Sequence, residues 1–139
     1  MSQVFQTQFT LRFRQADPAQ IMFFGHILGL AHDAYEDFIV ALGYSWKDWF
    51  RRGDEIVPIR HAETDFLIPF QPGQTYDITV SVPEIRETSF QTSYVFSQKG
   101  RVHATVKLVH AVIDSETLQK KPLPILMRQR LENYLEAKK

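Results

Sequence analysis

Asp17-Pro18-Ala19-Gln20-Ile21-Met22-Phe23-Phe24-Gly25-His26 joins a stretch of alternating apolar residues to a long helical one. Upstream, Val4 to Arg14 sets Phe5, Phe9, Leu11 and Phe13 on one side and Gln6, Gln8, Thr10 and Arg12 on the other, which predicts a half-buried strand. Downstream, Ile27, Leu30, Ala31, Ala34, Phe38, Ala41 and Leu42 recur at helical spacing from about Phe24 to Leu42. Gly43 stands where a helix C-terminal cap belongs. The segment therefore places a carboxylate on a short loop, a few residues before the first free N–H groups of a helix. Those groups and the helix dipole favour developing negative charge. A carboxylate beside such a site is what a simple acyl-transfer or hydrolysis centre requires.

Outward from that loop, Tyr44 to Asp54 reads as a short helix and a turn. The character is then β until Asp114. Ile56 to Ile59 and Thr64 to Ile68 form one strand region, closed by Pro69 and Pro72-Gly73. Tyr76, Ile78, Val80 and Val82 alternate as the next strand, and Phe90, Thr92, Tyr94 and Phe96 as another. Lys99-Gly100 makes a tight turn into Arg101 to Asp114. Ile125 to Ala137, after Pro122 and Pro124, is a terminal helix with Leu131, Tyr134 and Leu135 inward. The order is strand, long helix, four strands in meander, short helix. It predicts an α+β fold: an antiparallel sheet wrapped around one long central helix, with a short C-terminal helix. A sheet covered by one helix leaves edges and apolar surface to hide, which favours self-association.

The chain of 139 residues reads as one domain, 1–139, long enough to bury a single core. Its 44% apolar and 13% aromatic content is that of a folded protein. With 16 basic and 16 acidic residues there is no global field to attract nucleic acid or an anionic membrane. Any anionic ligand must be held by a local basic cluster. The absence of cysteine removes disulfides, thiolate nucleophiles and Cys-ligated zinc. No cationic-then-apolar leader appears, and no apolar run nears the roughly 20 residues of a membrane span. The expectation is a cytoplasmic protein.

Each candidate has a plain alternative. Asp17 before Pro18 could be a turn residue that caps the helix. Against this, Phe23 and Phe24 occupy a helix start where polar caps are usual, and aromatics there suit a pocket wall around a carboxylate. Gly25 would let a ligand approach the backbone, or simply cap the helix. His26 has its charged form disfavoured by the helix dipole, so a neutral hydrogen-bonding role is expected. His26 and His32 are six apart and lack an acidic partner, so no metal is expected. His61, His103 and His110 read as structural, with His103 and His110 on opposite faces of the last strand. Glu63 and Asp65 share one face, where solvation is the simpler account. Arg86, the Lys99/Arg101 pair and Arg51-Arg52 are the basic groups available for phosphate.

With these elements in order, the sequence resembles the hotdog-fold thioesterases of the 4-hydroxybenzoyl-CoA thioesterase type over nearly its whole length. That family has an Asp-Pro-Ala-Gly-Ile-Val-like loop, which here reads Asp17-Pro18-Ala19-Gln20-Ile21-Met22. Two aromatics, a small or polar turn and a long helix ending in Leu-Gly follow, here Phe23-Phe24, Gly25-His26 and Leu42-Gly43. Val57-Pro58-Ile59, Phe66 and Pro72-Gly73 sit where the family's second strand and turn fall. The resemblance implies hydrolysis of an acyl-CoA thioester, with Asp17 as nucleophile or general base. The amides near Phe24 and Gly25 would polarise the carbonyl, a donor of that kind being worth about 3 kcal/mol. It implies an acyl pocket lined by Phe23, Phe24, His32 and Val57. Nucleotide phosphates would lie near basic residues such as Arg86, and dimers or tetramers would carry the sites at subunit interfaces. No cofactor is implied beyond the coenzyme A of the substrate. Gln20 departs from the family's Gly and would enter the site, Ile27 replaces a frequent Tyr, and Glu87-Thr88 replaces a basic run. Two competitors share the pocket: an acyl-thioester hydratase or dehydratase, needing a His and an acid together, and a non-catalytic acyl-thioester-binding module, needing no carboxylate.

Overall fold

A computed structural model describes residues 2–51 and 53–137. Strand β1 (Phe5–Thr10) leads through the Asp17 loop into helix α1 (Ile27–Ala41) and the single-turn α2 (Trp46–Trp49). Then come β2 (Glu55–Ile56), β3 (Ile59–Phe66), β4 (Thr75–Ser81), β5 (Ser89–Gln98), β6 (Arg101–Ala111), β7 (Ile113–Asp114) and α3 (Ile125–Glu132). The main sheet is antiparallel in the order β1-β4-β5-β6-β3, and β2 and β7 pair separately. Helix α1 forms as its spacing predicts. Ile27, Leu30, Ala31, Ala34, Tyr35, Phe38 and Ile39 make one buried stripe. Gly43, at φ +100°, ends it in the left-handed conformation. The stripe packs on Tyr76, Ile78, Val80, Phe90, Tyr94, Phe96, Val106 and Leu108 from the sheet. Among the described residues no helix is long and apolar enough to cross a membrane.

Several expectations are corrected. The four later strands are not a meander. β4, β5 and β6 are, but β3 crosses to the far edge beside β6. Ile56 and Ile59 fall on two separate strands. β1 stops at Thr10 because Gln15 folds the chain into a 3-10 turn, Phe13–Gln15. The Gln15 side chain accepts from Arg12 N at 2.8 Å, and Phe13 swings out to 89% exposure instead of facing inward. Ala41 is exposed and α3 ends at Glu132, after which Leu135 bridges to Val82. The β5–β6 register shifts between Phe96 and Ser97, which leaves His103 as the extra residue of a bulge. That bulge turns His103 onto Phe70 and Tyr76, so it shares the core face with His110.

Candidate active site

The Asp17 loop is a hairpin turn held from three sides. Gln20 N donates to Asp17 O at 2.8 Å, and Asp17 N to Ile21 O at 2.9 Å. Phe23 N reaches Gln15 O, and Met22 N reaches Phe70 O. Gln20 adopts φ +65°, which explains why a glycine suits that position: the loop keeps its shape and the residue bears the left-handed conformation. Asp17 Oδ1 accepts from Ala19 N at 2.8 Å, the turn role that its place before Pro18 allows. Among the described residues that is the carboxylate's one hydrogen bond, and Oδ2 is left to the cleft beside it. The cleft, about 660 Å³, is lined by Phe13, Ala16, Asp17, Pro18, Gln20, Gln71 and Pro72.

A second 3-10 turn, Phe24–His26, precedes α1. Its first hydrogen bond runs from His26 N to Phe23 O at 3.1 Å. The amides of Phe24 and Gly25 come before that donor and are free for a ligand oxygen. Gly25 has a second reason to lack a side chain, since a Cβ there would stand 2.7 Å from the Phe23 ring. Phe23 packs on Phe24 at 4.9 Å between centroids and edge-on to His26 at 5.9 Å. These rings do not wall the Asp17 cleft as expected. Phe24 lines a neighbouring groove of about 300 Å³ with Ile21, Met22, Phe66, Leu67, Ile68, Pro69 and Phe70. The aromatic at the carboxylate is Phe13, which strand alternation had placed in the core.

The remaining candidates lie elsewhere in the subunit. His32 donates to Glu36 at 2.9 Å and stacks near Tyr35 and Phe50. Val57 lines a pocket of about 300 Å³ with Trp49, Phe50, Arg51, Ile56 and Pro58, beyond the Ile59 end of β3. Arg86 follows β4 at the end away from Asp17, and the seven residues of β4 alone span about 23 Å. Its Nε pairs with Glu84 at 2.8 Å, so one subunit does not bring it to the carboxylate. Arg52 lies outside the described residues. Glu63 and Asp65 are exposed on the edge strand. His110 is fully buried, sandwiched between Tyr35 and Phe90 at 4.6 Å each and bonded through Nε2 to Thr92 Oγ1. Burial, with His32 nearby, pushes its pKa down to about 3. No group of three or more His, Cys, Asp or Glu that could hold a metal occurs among the described residues.

The site thus combines a carboxylate in an open cleft with amides at the entrance of α1 that have no partner among the described residues. Residues 11–131 match the model of the thioesterase-like superfamily, and the chain belongs to that family. It has the hotdog fold and is a thioesterase by class. Among its relatives, a 1,4-dihydroxy-2-naphthoyl-CoA hydrolase of Synechococcus elongatus is 33% identical over 133 residues, 95% of each chain. Another from Rippkaea orientalis is 31% identical over 89% of this chain and 92% of that one. The crystal structure of a 1,4-dihydroxy-2-naphthoyl-CoA thioesterase from Synechocystis superposes with a TM-score of 0.85 at 23% identity, over 93% of this chain and 96% of that chain.

Proposed function

We propose that this protein hydrolyses an aryl-CoA thioester, of the 1,4-dihydroxy-2-naphthoyl class rather than the smaller 4-hydroxybenzoyl class, with Asp17 as the catalytic carboxylate. Two observations support this reading: Asp17 Oδ2 makes no hydrogen bond among the described residues, and the amides of Phe24 and Gly25, seven and eight residues on, precede the first hydrogen bond of the turn that leads into α1. In this reading the amides hold the thioester oxygen as it gains charge, and Asp17 attacks the carbonyl or deprotonates water. The hydratase alternative has less support, because His26 packs on Phe23 and does not line the Asp17 cleft.

The acyl pocket is supplied across a dimer. Strand β3 is an edge of the sheet, and Ile59, Phe66 and Leu67 are exposed along it. Leu67 N donates to His103 O, so by antiparallel alternation Glu63 and Asp65 bond to β6. Ala62, Thr64 and Phe66 then present their backbone groups to the open edge. Two copies joined antiparallel there would form one continuous sheet. Each Phe66 end, with its Asp17 loop, would then face the Ile59 end of its partner, where Trp49, Phe50 and Val57 line a pocket and the His32 ring lies 6.1 Å from that of Phe50. The same operation returns Arg86 to the neighbourhood of the opposite active site. Further pairing into tetramers would use the remaining sheet surface.

Thiol release from a panel of aryl, short-chain and long-chain acyl-CoAs tests this reading, and a thiol dye meets no cysteine in the chain. The expected result is the highest kcat/KM with a bicyclic aryl-CoA. A preference for long alkyl chains overturns the aryl assignment. Silence across the panel from folded protein overturns the hydrolytic one.

A further inference from the structure

Gln20 belongs to the Asp17 loop, and its side chain is used neither by the turn nor by the amides before α1. It closes the four-residue turn that begins at Asp17. Gln20 N donates to Asp17 O at 2.8 Å, and a bridge between Ala16 and Met22 joins the two arms of the loop. Such a turn sets its end Cα atoms within about 7 Å of each other. Both residues line the same cleft. We infer that Gln20 is a positioning residue whose side-chain amide holds the hydrolytic water against Asp17 Oδ2, which rests on the thioesterase reading above.

The backbone alone asks for a different residue here. At φ +65° glycine is unstrained and asparagine is tolerated, whereas glutamine is held at a cost. Lys99 and Leu118 share that left-handed region, so strain by itself marks no site. Of the three, Gln20 alone stands in the cleft of the carboxylate. Its amide makes no hydrogen bond among the described residues and is left to solvent. Apart from Asp17, the polar side chains lining the cleft are those of Gln20 and Gln71. Gln71 comes from the β3–β4 connection, where its N–H donates to Tyr76 OH. Gln20 shares the turn of Asp17, so any motion of the loop moves acceptor and carboxylate together.

A water seated between them donates one hydrogen to Asp17 Oδ2 and the other to Gln20 Oε1, which turns a lone pair toward the thioester carbon. Its oxygen bonds to that carbon as its proton passes to Asp17. The carbonyl electron pair moves onto the oxygen that faces the Phe24 and Gly25 amides. When the carbonyl re-forms, the C–S bond breaks, and the departing sulfur takes the proton from Asp17 to leave as the thiol. Asp17 thus acts as a general base. Its Oδ1, bonded to Ala19 N at 2.8 Å, steadies the carboxylate while Oδ2 takes the proton.

Two variants separate the amide from the backbone. Gln20→Gly removes the side chain, keeps the N–H that bonds to Asp17 O and relieves the left-handed strain. Gln20→Met keeps the length and the strain and loses the amide. Steady-state kinetics on an aryl-CoA are read with unfolding midpoints and with a single wild-type turnover in heavy-oxygen water. The expected result is kcat lowered about thirtyfold in both variants with KM unchanged. The midpoint of Gln20→Gly should stand at or above that of the wild type, and the first product should carry solvent oxygen. Wild-type kcat in both variants, a loss confined to one of them, or a rise in KM at constant kcat overturns the inference while leaving the hydrolase intact. An enzyme oxygen in the first product makes Asp17 the nucleophile and overturns it too. A folded wild type that releases no thiol from the aryl-CoA refutes the thioesterase reading and the role of Gln20 together.

Discussion

At the Thr10 end of the sheet Asp17 stands in an open cleft with one carboxylate oxygen unpaired among the described residues, whereas toward the Ser81 end His110 is clamped between two aromatic rings. Both are titratable groups set against the same sheet, and their surroundings differ at every point. Around His110, Thr92 bonds to both the imidazole and Tyr94 OH, and Trp49 Nε1 donates to Tyr35 OH. Burial pushes the phenols of Tyr35 and Tyr94 far up, so these rings stay neutral at any working pH. Around Asp17 the backbone is tied by four hydrogen bonds, from Asp17 N, Gln20 N, Met22 N and Phe23 N, and the side chain is left accessible. At the closed end the polar side chains specify one packing, with His110 Nδ1 the buried atom left without a partner among the described residues, whereas the polar group of the open end stays accessible.

The comparison breaks most severely if the open end does not depend on a partner. Thr64→Pro blocks the free edge of β3 without removing a bond to β6. The expected result is a monomer by sedimentation, with activity reduced roughly a hundredfold because half of each site is missing. Full activity from a monomer would show that one subunit suffices.

The closed end predicts an acid limb of stability. His110 in the fold titrates near 3, far below the 6.5 of an exposed histidine, so between those values the unfolded chain binds the extra proton. Its contribution is complete above pH 6.5 and is lost as pH falls, to an extent on the order of 4 kcal/mol by pH 3. Unfolding midpoints of the wild type should therefore fall steeply below pH 6. His110→Phe, which keeps a ring in the sandwich, should flatten that limb while lowering stability at pH 7. Parallel pH profiles for the two proteins would remove His110 from the account.

What was legible in the sequence follows the range of the interactions. The stripe of α1 up to Phe38, the Gly43 cap, the alternation of β4 and β5 and the Asp17 turn are local periodicities and local hydrogen bonds, and each is found where the pattern put it. The position of β3 is not local. Its exposed residues read the same in a meander as on the far edge, and only pairing with β6 decides between them. Phe13 and His103 were misplaced for a shared reason. A 3-10 turn after Thr10 and a bulge at His103 each break a period of two, and alternation carries no mark of the break. Asp17, Phe24 and Gly25 are close in sequence, and the clefts that Asp17 and Phe24 line lie on one continuous loop before α1. Arg86, His32 and Val57 are distant from them within the subunit, and only a two-fold axis through the β3 edge would restore them to one site.

The most direct measurement is turnover by Asp17→Asn on the best substrate of the panel, taken with its unfolding midpoint. Asparagine still offers Oδ1 to Ala19 N and keeps the turn. The account predicts a loss of about a thousandfold or more in kcat with the midpoint unchanged. A variant that turns over substrate at the wild-type rate, or one that loses activity only by losing its fold, would contradict it.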